Sequence, residues 1–331
     1  MGRRNKKGDK VSGWVNVDKP LGLTSTQVIG KIRRIMNAQK VGHAGTLDPL
    51  ASGVLPIALG EATKTIPYIQ DAFKTYEFTV TWGEQRSTDD AEGDVVASSD
   101  TRPALADIEA LLPDFTGEIT QTPPQFSAVK IDGQRAYDLA RKGEAVEIKQ
   151  RDVFVESLEI VRHPRENGDL VPIATRSPLK AGMTDERLDD TSFVMTCSKG
   201  TYVRSIARDM GVKLGCYGYV SALRRTAVGD FYADDAILLD NLMEMDHIAA
   251  REAALLPVQV GLDDIPALAL NSNEVAVLRN GQALSFISKS DFHRLEVLDG
   301  EGEALAVFQD QAVAIVEIEG PSVKPVRVFN I

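Results

Sequence analysis

The chain has 331 residues, of which 43% are hydrophobic and 26% are charged, and its formal net charge is −11. These proportions are ordinary for a globular protein, and no apolar run reaches the roughly 18 residues that span a bilayer. Because the length exceeds the usual size of one hydrophobic core, we expect one large and one smaller domain. The two cysteines, Cys197 and Cys216, are too few and too widely spaced for a disulfide framework or a zinc ribbon, and we expect them buried and reduced.

Positive charge is concentrated in two stretches of this acidic chain. Residues 1–40 contain ten Lys and Arg residues against two acids, and residues 199–225 contain six against one. Residues 1–11 lack a following apolar stretch, so they predict a basic tail of a cytoplasmic protein and not a secretory signal. The two stretches either form one surface for a polyanion or remain two separate solvated surfaces, and composition leaves both alternatives open.

The first elements show strand and helix signals in turn. Residues 13–17 predict a strand, and Thr24 or Ser25 can cap a helix that ends near Asn37. The Gly and Pro residues within 41–60 predict that much of this segment is shaped by turns and not by regular strands.

The following segments indicate an α+β fold with a mixed, mainly antiparallel sheet flanked by helices. Strands are predicted at 76–82, 153–161 and 193–198, and helices at 105–112, 134–142, 203–214 and within 237–256. Residues 163–191 are polar and show no period, so they predict an inserted surface loop.

The pattern of apolar and turn residues changes near residue 264. Short apolar segments separated by turn residues predict a small C-terminal β-barrel domain. Its strands are predicted at 274–279, 295–298, 304–308, 312–318 and 326–329. We therefore expect a tail (1–11), a main domain (12–264) and a β domain (265–331).

A Gly- and Pro-rich stretch, residues 42–56, contains a single carboxylate, Asp48. Glycines allow backbone to approach a ligand closely, and Pro49 restricts Asp48 to extended or turn conformations, which suits a positioned nucleophile. An Asx-turn, in which the carboxylate only accepts from neighbouring N–H groups, fits the same spacing. Local spacing leaves both interpretations open.

Residues 42–49, GHAGTLDP, closely resemble the catalytic motif of the TruB family of tRNA pseudouridine synthases. Further blocks similar to that family occur in the expected order at 17–20, 74–76, 123–130, 198–205 and 223–225. Together the resemblance spans about residues 12–232, and residues 265–331 are similar to a PUA-type RNA-binding domain.

The resemblance implies a pseudouridine synthase fold and a stand-alone, monomeric enzyme that isomerises uridine 55 in the T-arm of elongator tRNAs. The reaction breaks the bond from ribose to a ring nitrogen and rejoins the uracil through carbon 5, without redox change or hydrolysis. It implies no cofactor, metal or obligatory protein partner. The sequence agrees, because it has neither a nucleotide-binding glycine motif nor histidines at metal-ligand spacing.

The same resemblance implies three catalytic residues. Asp48 is the essential carboxylate, acting as a covalent nucleophile or as a base, and Arg204 is its partner. Tyr76 stacks on the extruded uracil and can take the carbon 5 proton. Without the resemblance, Tyr76 would be interpreted as a core aromatic and Arg204 as a solvated or phosphate-facing side chain.

Six further residues are predicted to bind substrate or RNA. His43 is predicted to fill the gap left by the flipped nucleotide. Lys19 and Lys130 either hold phosphates or support the active-site loops. Tyr202 and Leu223 are predicted to line the pocket, and Arg224 to contact RNA.

The sequence also departs from the family pattern and admits rivals. Ala44 replaces a commoner hydroxyl residue, Phe126 stands where Tyr is common, and residues 265–331 are acidic. The rivals are a guide-RNA-dependent synthase, which the continuation at 48–53 disfavours, and a non-catalytic tRNA-binding folding factor. Intact Asp48, Tyr76 and Arg204 disfavour the second rival.

Overall fold

The computed structural model describes residues 8–127, 129–131, 134–137, 148–161, 187–245, 248–262, 264–296 and 301–331. Most of the predicted insertion at 163–191 and of the basic tail at 1–11 lies outside these ranges. Within the described residues, no helix is both long and apolar enough to cross a membrane.

The described residues form nineteen strands and eight α-helices. The strands are β1 (Gly13–Lys19), β2 (Val41–His43), β3 (Ala51–Leu59), β4 (Lys74–Trp82), β5 (Glu84–Arg86), β6 (Val95–Ser98), β7 (Gly117–Gln121), β8 (Lys130–Ile131), β9 (Gln134–Arg135), β10 (Arg151–Val161), β11 (Asp190–Cys197), β12 (Gly218–Val228), β13 (Phe231–Tyr232), β14 (Ile237–Leu238), β15 (Ala267–Ala269), β16 (Leu284–Ser285), β17 (Gly302–Phe308), β18 (Gln311–Glu319) and β19 (Ser322–Val328). The α-helices are α1 (Ser25–Ile35), α2 (Ile66–Asp71), α3 (Leu105–Leu111), α4 (Val203–Lys213), α5 (Leu239–Glu244), α6 (Ile248–Ala253), α7 (Ser272–Arg279) and α8 (Lys289–Glu296).

One large sheet organises the first part of the fold. Its main path is β14-β1-β3-β12-β4-β11-β10-β7, with β2 paired to β3 and β13 to β12. The β3–β12 and β1–β14 pairs are parallel, and the other pairs are antiparallel. The predicted mixed, mainly antiparallel sheet is therefore confirmed. A second sheet, in the order β15-β17-β18-β19-β16, forms the C-terminal part.

Alternation along β4 places its side chains on two different faces. Phe78, Val80 and Trp82 are buried in a hydrophobic cluster with residues of α4, while Thr75 and Thr79 share hydroxyl contacts with β11 on the other face. Because side chains in a strand alternate with period two, Tyr76 lies on the α4 side. The sheet thus presents Tyr76 toward the first turn of α4.

The segment 41–60 contradicts its prediction as a run of turns. β3 is a nine-residue strand in the centre of the sheet, and eight of its residues are buried. A continuous apolar run of this length is typical of a strand covered on both faces, so the glycine and proline signals were outweighed by burial. Only residues 44–50, which carry Asp48, remain irregular.

Two segments predicted as C-terminal strands are helical instead. Residues 274–279 lie in α7, whose cap Asn271 accepts from the backbone N–H groups of Asn273 and Glu274. The Glu274 carboxylate accepts in return from the N–H of Asn271 at 2.8 Å, which completes a capping box. Leu295 lies in α8, and residues 297–298 are outside the described ranges.

Two other predicted helices are confirmed only in part. Gln134–Arg135 forms β9, the next two residues are helical, and the remainder of 134–142 is outside the described ranges. Within 237–256, β14 precedes α5 and α6.

The two sheets share a hydrophobic cluster. Trp14 and Phe231 of the large sheet are buried together with Ile315 and Phe329 of the C-terminal part. The two parts are also joined by a hydrogen bond, in which Lys64 Nζ donates to the Val328 carbonyl.

Phe329→Ala is expected to lower the free energy of unfolding by about 3–5 kcal/mol, because it leaves a cavity in this shared cluster. The Phe329 side chain is fully buried, and its backbone N–H donates to Val313 O at 2.8 Å. Urea denaturation measures the loss, and Phe292→Ala, at a 47% exposed phenylalanine of α8, is the matched control. Equal losses in the two variants would contradict a shared core at Phe329.

Candidate active site

An open cleft of about 680 Å³ lies where the 44–50 loop, β4, β12 and the start of α4 meet. Five of the residues predicted to act on substrate line it, namely Asp48, Tyr76, Tyr202, Arg204 and Leu223. Four further cations line the same cleft, namely Lys74, Arg151, Lys199 and Arg225. The cleft therefore combines one predicted nucleophile with aromatic walls and excess positive charge.

The backbone of the loop that carries Asp48 is fixed by hydrogen bonds with the Ser25 side chain of α1 and with the turn before α1. Ser25 Oγ donates to Leu47 O at 3.0 Å and accepts from Leu47 N at 2.9 Å. The Gly22 N–H donates to Pro49 O at 2.8 Å. The Asp48 side chain itself is 42% exposed, so its carboxylate faces the cleft from a rigid support.

Arg204 joins Asp48 to the wall of the cleft. Its Nη2 lies 2.8 Å from Asp48 Oδ2, and its Nη1 lies 3.2 Å from Asp90 Oδ2. The guanidinium also donates to the carbonyls of Thr88 and Phe126 at 2.9 and 3.0 Å. Because the Arg204 side chain is only 6% exposed, these four contacts leave it little freedom, and it holds the Asp48 carboxylate in one orientation.

Two aromatic side chains face the same space. Tyr76 is half-buried on β4, and burial raises the pKa of its phenol while the positive charge of Arg225 opposes that change. The backbone of Tyr202, which precedes α4, is fixed by two hydrogen bonds with the Gln121 side chain. The Arg151 guanidinium lies 5.1 Å from the centre of the Tyr202 ring, within cation–π range.

Lys19 is fully buried beneath the Asp48 loop. Its Nζ donates to the carbonyls of Pro20, Leu23 and Pro49 at 2.9, 2.7 and 3.5 Å. Burial lowers the pKa of Lys19 to about 8, and the nearby charge of Asp48 partly opposes this. Of the two roles predicted for Lys19, the geometry favours support of the loop and not contact with phosphate.

Two other predicted binding residues, Arg224 and His43, do not line the cleft among the residues that the structure describes, and a third, Lys130, is not placed. Arg224 lies on the opposite face of β12, where it forms a two-pronged ion pair with Asp18 at 2.8 and 3.1 Å. His43 is half-buried on β2, and burial followed by the charge of Arg225 lowers its pKa, which favours a neutral ring. The side chain of Lys130 is outside the described residues.

Sequence reasoning missed two residues of the site, Asp90 and Arg225. Asp90 carries no recognisable motif, and only the folded chain brings it to Arg204. Arg225 had a usable signal, because the period of two in a strand places it on the same face as Leu223 and places Arg224 on the other.

Two family models match adjacent parts of the chain. Residues 33–203 match the TruB family pseudouridylate synthase N-terminal domain, and residues 204–263 match the tRNA pseudouridylate synthase B C-terminal domain. Two relatives are named tRNA pseudouridine synthase B. The one from Caulobacter vibrioides is 44% identical to this chain over 329 aligned residues, and the one from Brucella anthropi is 46% identical over 350. The two alignments cover 99% and 100% of this chain and 99% of each relative. The chain belongs to the TruB family.

Solved structures agree with this membership at the level of the fold. A Cbf5-Nop10-Gar1 complex contains a chain that superimposes with a TM-score of 0.64 at 23% identity, covering 96% of this chain and 84% of that one. A substrate-bound H/ACA RNP gives the same TM-score at 21% identity, covering 100% of this TruB chain and 92% of the other. The predicted pseudouridine synthase fold is therefore confirmed.

Proposed function

We propose that this chain is a stand-alone tRNA pseudouridine synthase that isomerises uridine 55 in the T-arm of elongator tRNAs. The observation that carries the proposal is the 2.8 Å pairing of Asp48 with the buried Arg204 in a cleft that Tyr76 also lines. The family membership and the names of its relatives support a reaction on tRNA.

The chemistry requires a carboxylate, a cation and an aromatic ring in one place. Asp48 assists departure of uracil from C1′, as a nucleophile on the sugar or as a base, and Arg204 keeps that carboxylate oriented. After the uracil turns, the C1′–C5 bond forms, the proton on carbon 5 leaves and N1 gains a proton. Tyr76 offers a π-face for the ring and an oxygen for this proton transfer.

The target must leave its stack to reach this cleft, at a cost of a few kcal/mol. Because its lowered pKa favours the neutral ring, His43 is better suited to stack in the vacated place than to contact a phosphate. Tyr202 and Leu223 border the flipped uracil, and Lys130 is a proposed RNA contact. The reaction balances without a metal or a cofactor.

Residues 265–331 contain more acidic than basic residues, so we propose that their contribution to RNA affinity is small. We propose that they form a PUA-like domain, with the boundary near 264 and the catalytic domain at 12–264. We also propose that the enzyme works in the cytoplasm as a monomer, without an obligatory protein partner.

Two alternatives make different predictions. A guide-RNA-dependent synthase would need added RNA and proteins, whereas a folding factor would bind tRNA without modifying it. The fold of Cbf5-containing complexes is shared, but identities of 21–23% against 44–47% for the tRNA synthases favour the stand-alone class.

The deciding experiment combines purified chain with one unmodified elongator tRNA transcript and no other component. Carbodiimide treatment followed by primer extension is expected to give one new stop, reporting position 55. A stop at another position would refute the proposed specificity, and no stop at all would refute the stand-alone activity.

Binding of tRNA is expected to weaken steeply with salt, because Lys and Arg side chains release counterions from phosphates. Between roughly 50 and 200 mM salt, the Kd should rise at least tenfold. Filter binding at several salt concentrations measures this, and a flat response would place the RNA-binding surface away from the basic stretches.

A further inference from the structure

Arg225 is a buried residue whose guanidinium contacts both the loop that carries Asp48 and β3, the strand that follows this loop. Its side chain is 1% exposed. Nε donates to Val54 O at 2.8 Å, and Nη2 donates to Gly45 O at 3.2 Å. These two carbonyls lie on either side of Asp48 in the sequence, so a single side chain joins the start of the 44–50 loop to β3, the strand that follows the loop.

The strand pairing brings the same guanidinium to Tyr76. Arg225 is opposite Gly53 in the parallel pairing with β3 and opposite Tyr76 in the antiparallel pairing with β4. The register with β4 shifts between Arg225 and Ala227. Such bulges re-aim side chains near active sites. A Cβ at Gly53 would lie 2.1 Å from Arg225 O, so glycine permits the close approach of the two strands.

We propose that Arg225 is a positioning residue that fixes the Tyr76 side chain and the Asp48 loop relative to each other. The inference rests on the proposed function, since it assigns Arg225 a part in that reaction. A planar guanidinium offers several N–H donors in fixed directions, and a lysine ammonium cannot reproduce this fork.

The electrostatics of the phenol agree with this geometry. Burial raises the pKa of Tyr76, and the charge of Arg225 with its hydrogen bond to the Tyr76 side chain acts against that change. Cys197 and Asp48, the other titratable groups that influence the phenol, both raise its pKa. Among these titratable groups, Arg225 is therefore the one that lowers the pKa of the Tyr76 phenol and so favours its deprotonated form.

A purely structural role for Arg225 has a matched control elsewhere in the chain. Arg251 donates from Nε to Met245 O and from Nη1 to Ile35 O, each at 2.8 Å. It thus joins two backbone segments as Arg225 does, but it does not line the cleft. Arg251→Met reports what the loss of such bonds costs in stability alone.

The first experiment measures three quantities for Arg225→Lys, Arg225→Met and Arg251→Met. They are the single-turnover rate of pseudouridine formation at saturating enzyme, the Kd for tRNA and the Tm. Both Arg225 variants are expected to lose at least about tenfold in rate, because small misplacements of reacting groups are costly. Their Kd should stay within about threefold of the wild type. Arg251→Met should lower the Tm and leave the rate unchanged.

The second experiment tests whether Arg225 acts through Tyr76. In a Tyr76→Phe background, which lacks the hydroxyl, Arg225→Lys is expected to lose less rate than in the wild type, because coupled residues are not additive. If Arg225→Met fails to fold, Arg225→Lys, which keeps the charge, provides the result.

Three outcomes overturn the inference. They are a folded Arg225→Lys variant with the wild-type rate, a loss found only in Kd, and an equal loss of rate in both backgrounds. Failure of the wild-type chain to modify tRNA would refute the proposed function instead, so the two failures are distinguishable.

Discussion

Asp48→Asn is expected to abolish pseudouridine formation while tRNA binding stays within about tenfold, or roughly 1.4 kcal/mol. Asparagine has nearly the same shape and keeps the turn in which Ala51 N donates to Asp48 O at 3.1 Å. It offers no carboxylate to attack C1′ or to act as a base. Loss of turnover with intact binding would therefore report the chemical step.

The matched control for this variant is Asp209→Asn. The Asp209 side chain is 38% exposed and lies 2.8 Å from Arg208, close to the 42% and 2.8 Å found for Asp48 and Arg204. Single-turnover assays are expected to show a nearly wild-type rate for Asp209→Asn. Normal turnover in Asp48→Asn would sink the assignment of Asp48 as the essential carboxylate.

Caps and short-range patterns of apolar residues correctly predicted α1, β4 and α4. The expected cap of α1 is present, because Thr24 Oγ1 accepts from Gln27 N and Gln27 Oε1 accepts from Thr24 N. β4 and α4 also lie where alternation and helical spacing placed them. In these segments the local preference and the buried face agree, so short-range patterns were sufficient.

The errors arose where tertiary burial or an overlooked cap decided the structure. β3 contains Gly53 and Pro56, which usually mark turns, yet it is buried between β1 and β12. In α7, the apolar spacing fits a strand as well as a helix over so short a segment. The Asn271–Glu274 capping box would have decided for the helix.

The site itself was only partly accessible from the sequence. The family resemblance predicted that Asp48, Tyr76 and Arg204 act together, and the three side chains do line one cleft. It could not reveal Asp90, because this contact with Arg204 depends on the folding of distant segments. Strand alternation counted from Leu223 would have predicted that Arg225, and not Arg224, lines the cleft.

Arg204→Lys is expected to reduce the single-turnover rate by about 100-fold, even though the positive charge is kept. One guanidinium now serves Asp48, Asp90 and the carbonyls of Thr88 and Phe126. A single ammonium cannot reach acceptors on both sides of a planar fork, so the Asp48 carboxylate loses its fixed orientation. Arg204→Met should in addition lower the free energy of unfolding by about 3–5 kcal/mol, because the buried Asp90 loses its cation.

Arg208→Lys, one turn further along α4, separates the loss of an ion pair from the loss of catalysis. Arg208 contacts Asp89 at 3.1 Å and Asp209 at 2.8 Å, and it does not line the cleft. Thermal denaturation should show a loss of stability in both lysine variants, whereas only Arg204→Lys should lose rate at saturating enzyme. Equal rates in the two variants would mean that Arg204 stabilises the fold without orienting Asp48 for the reaction.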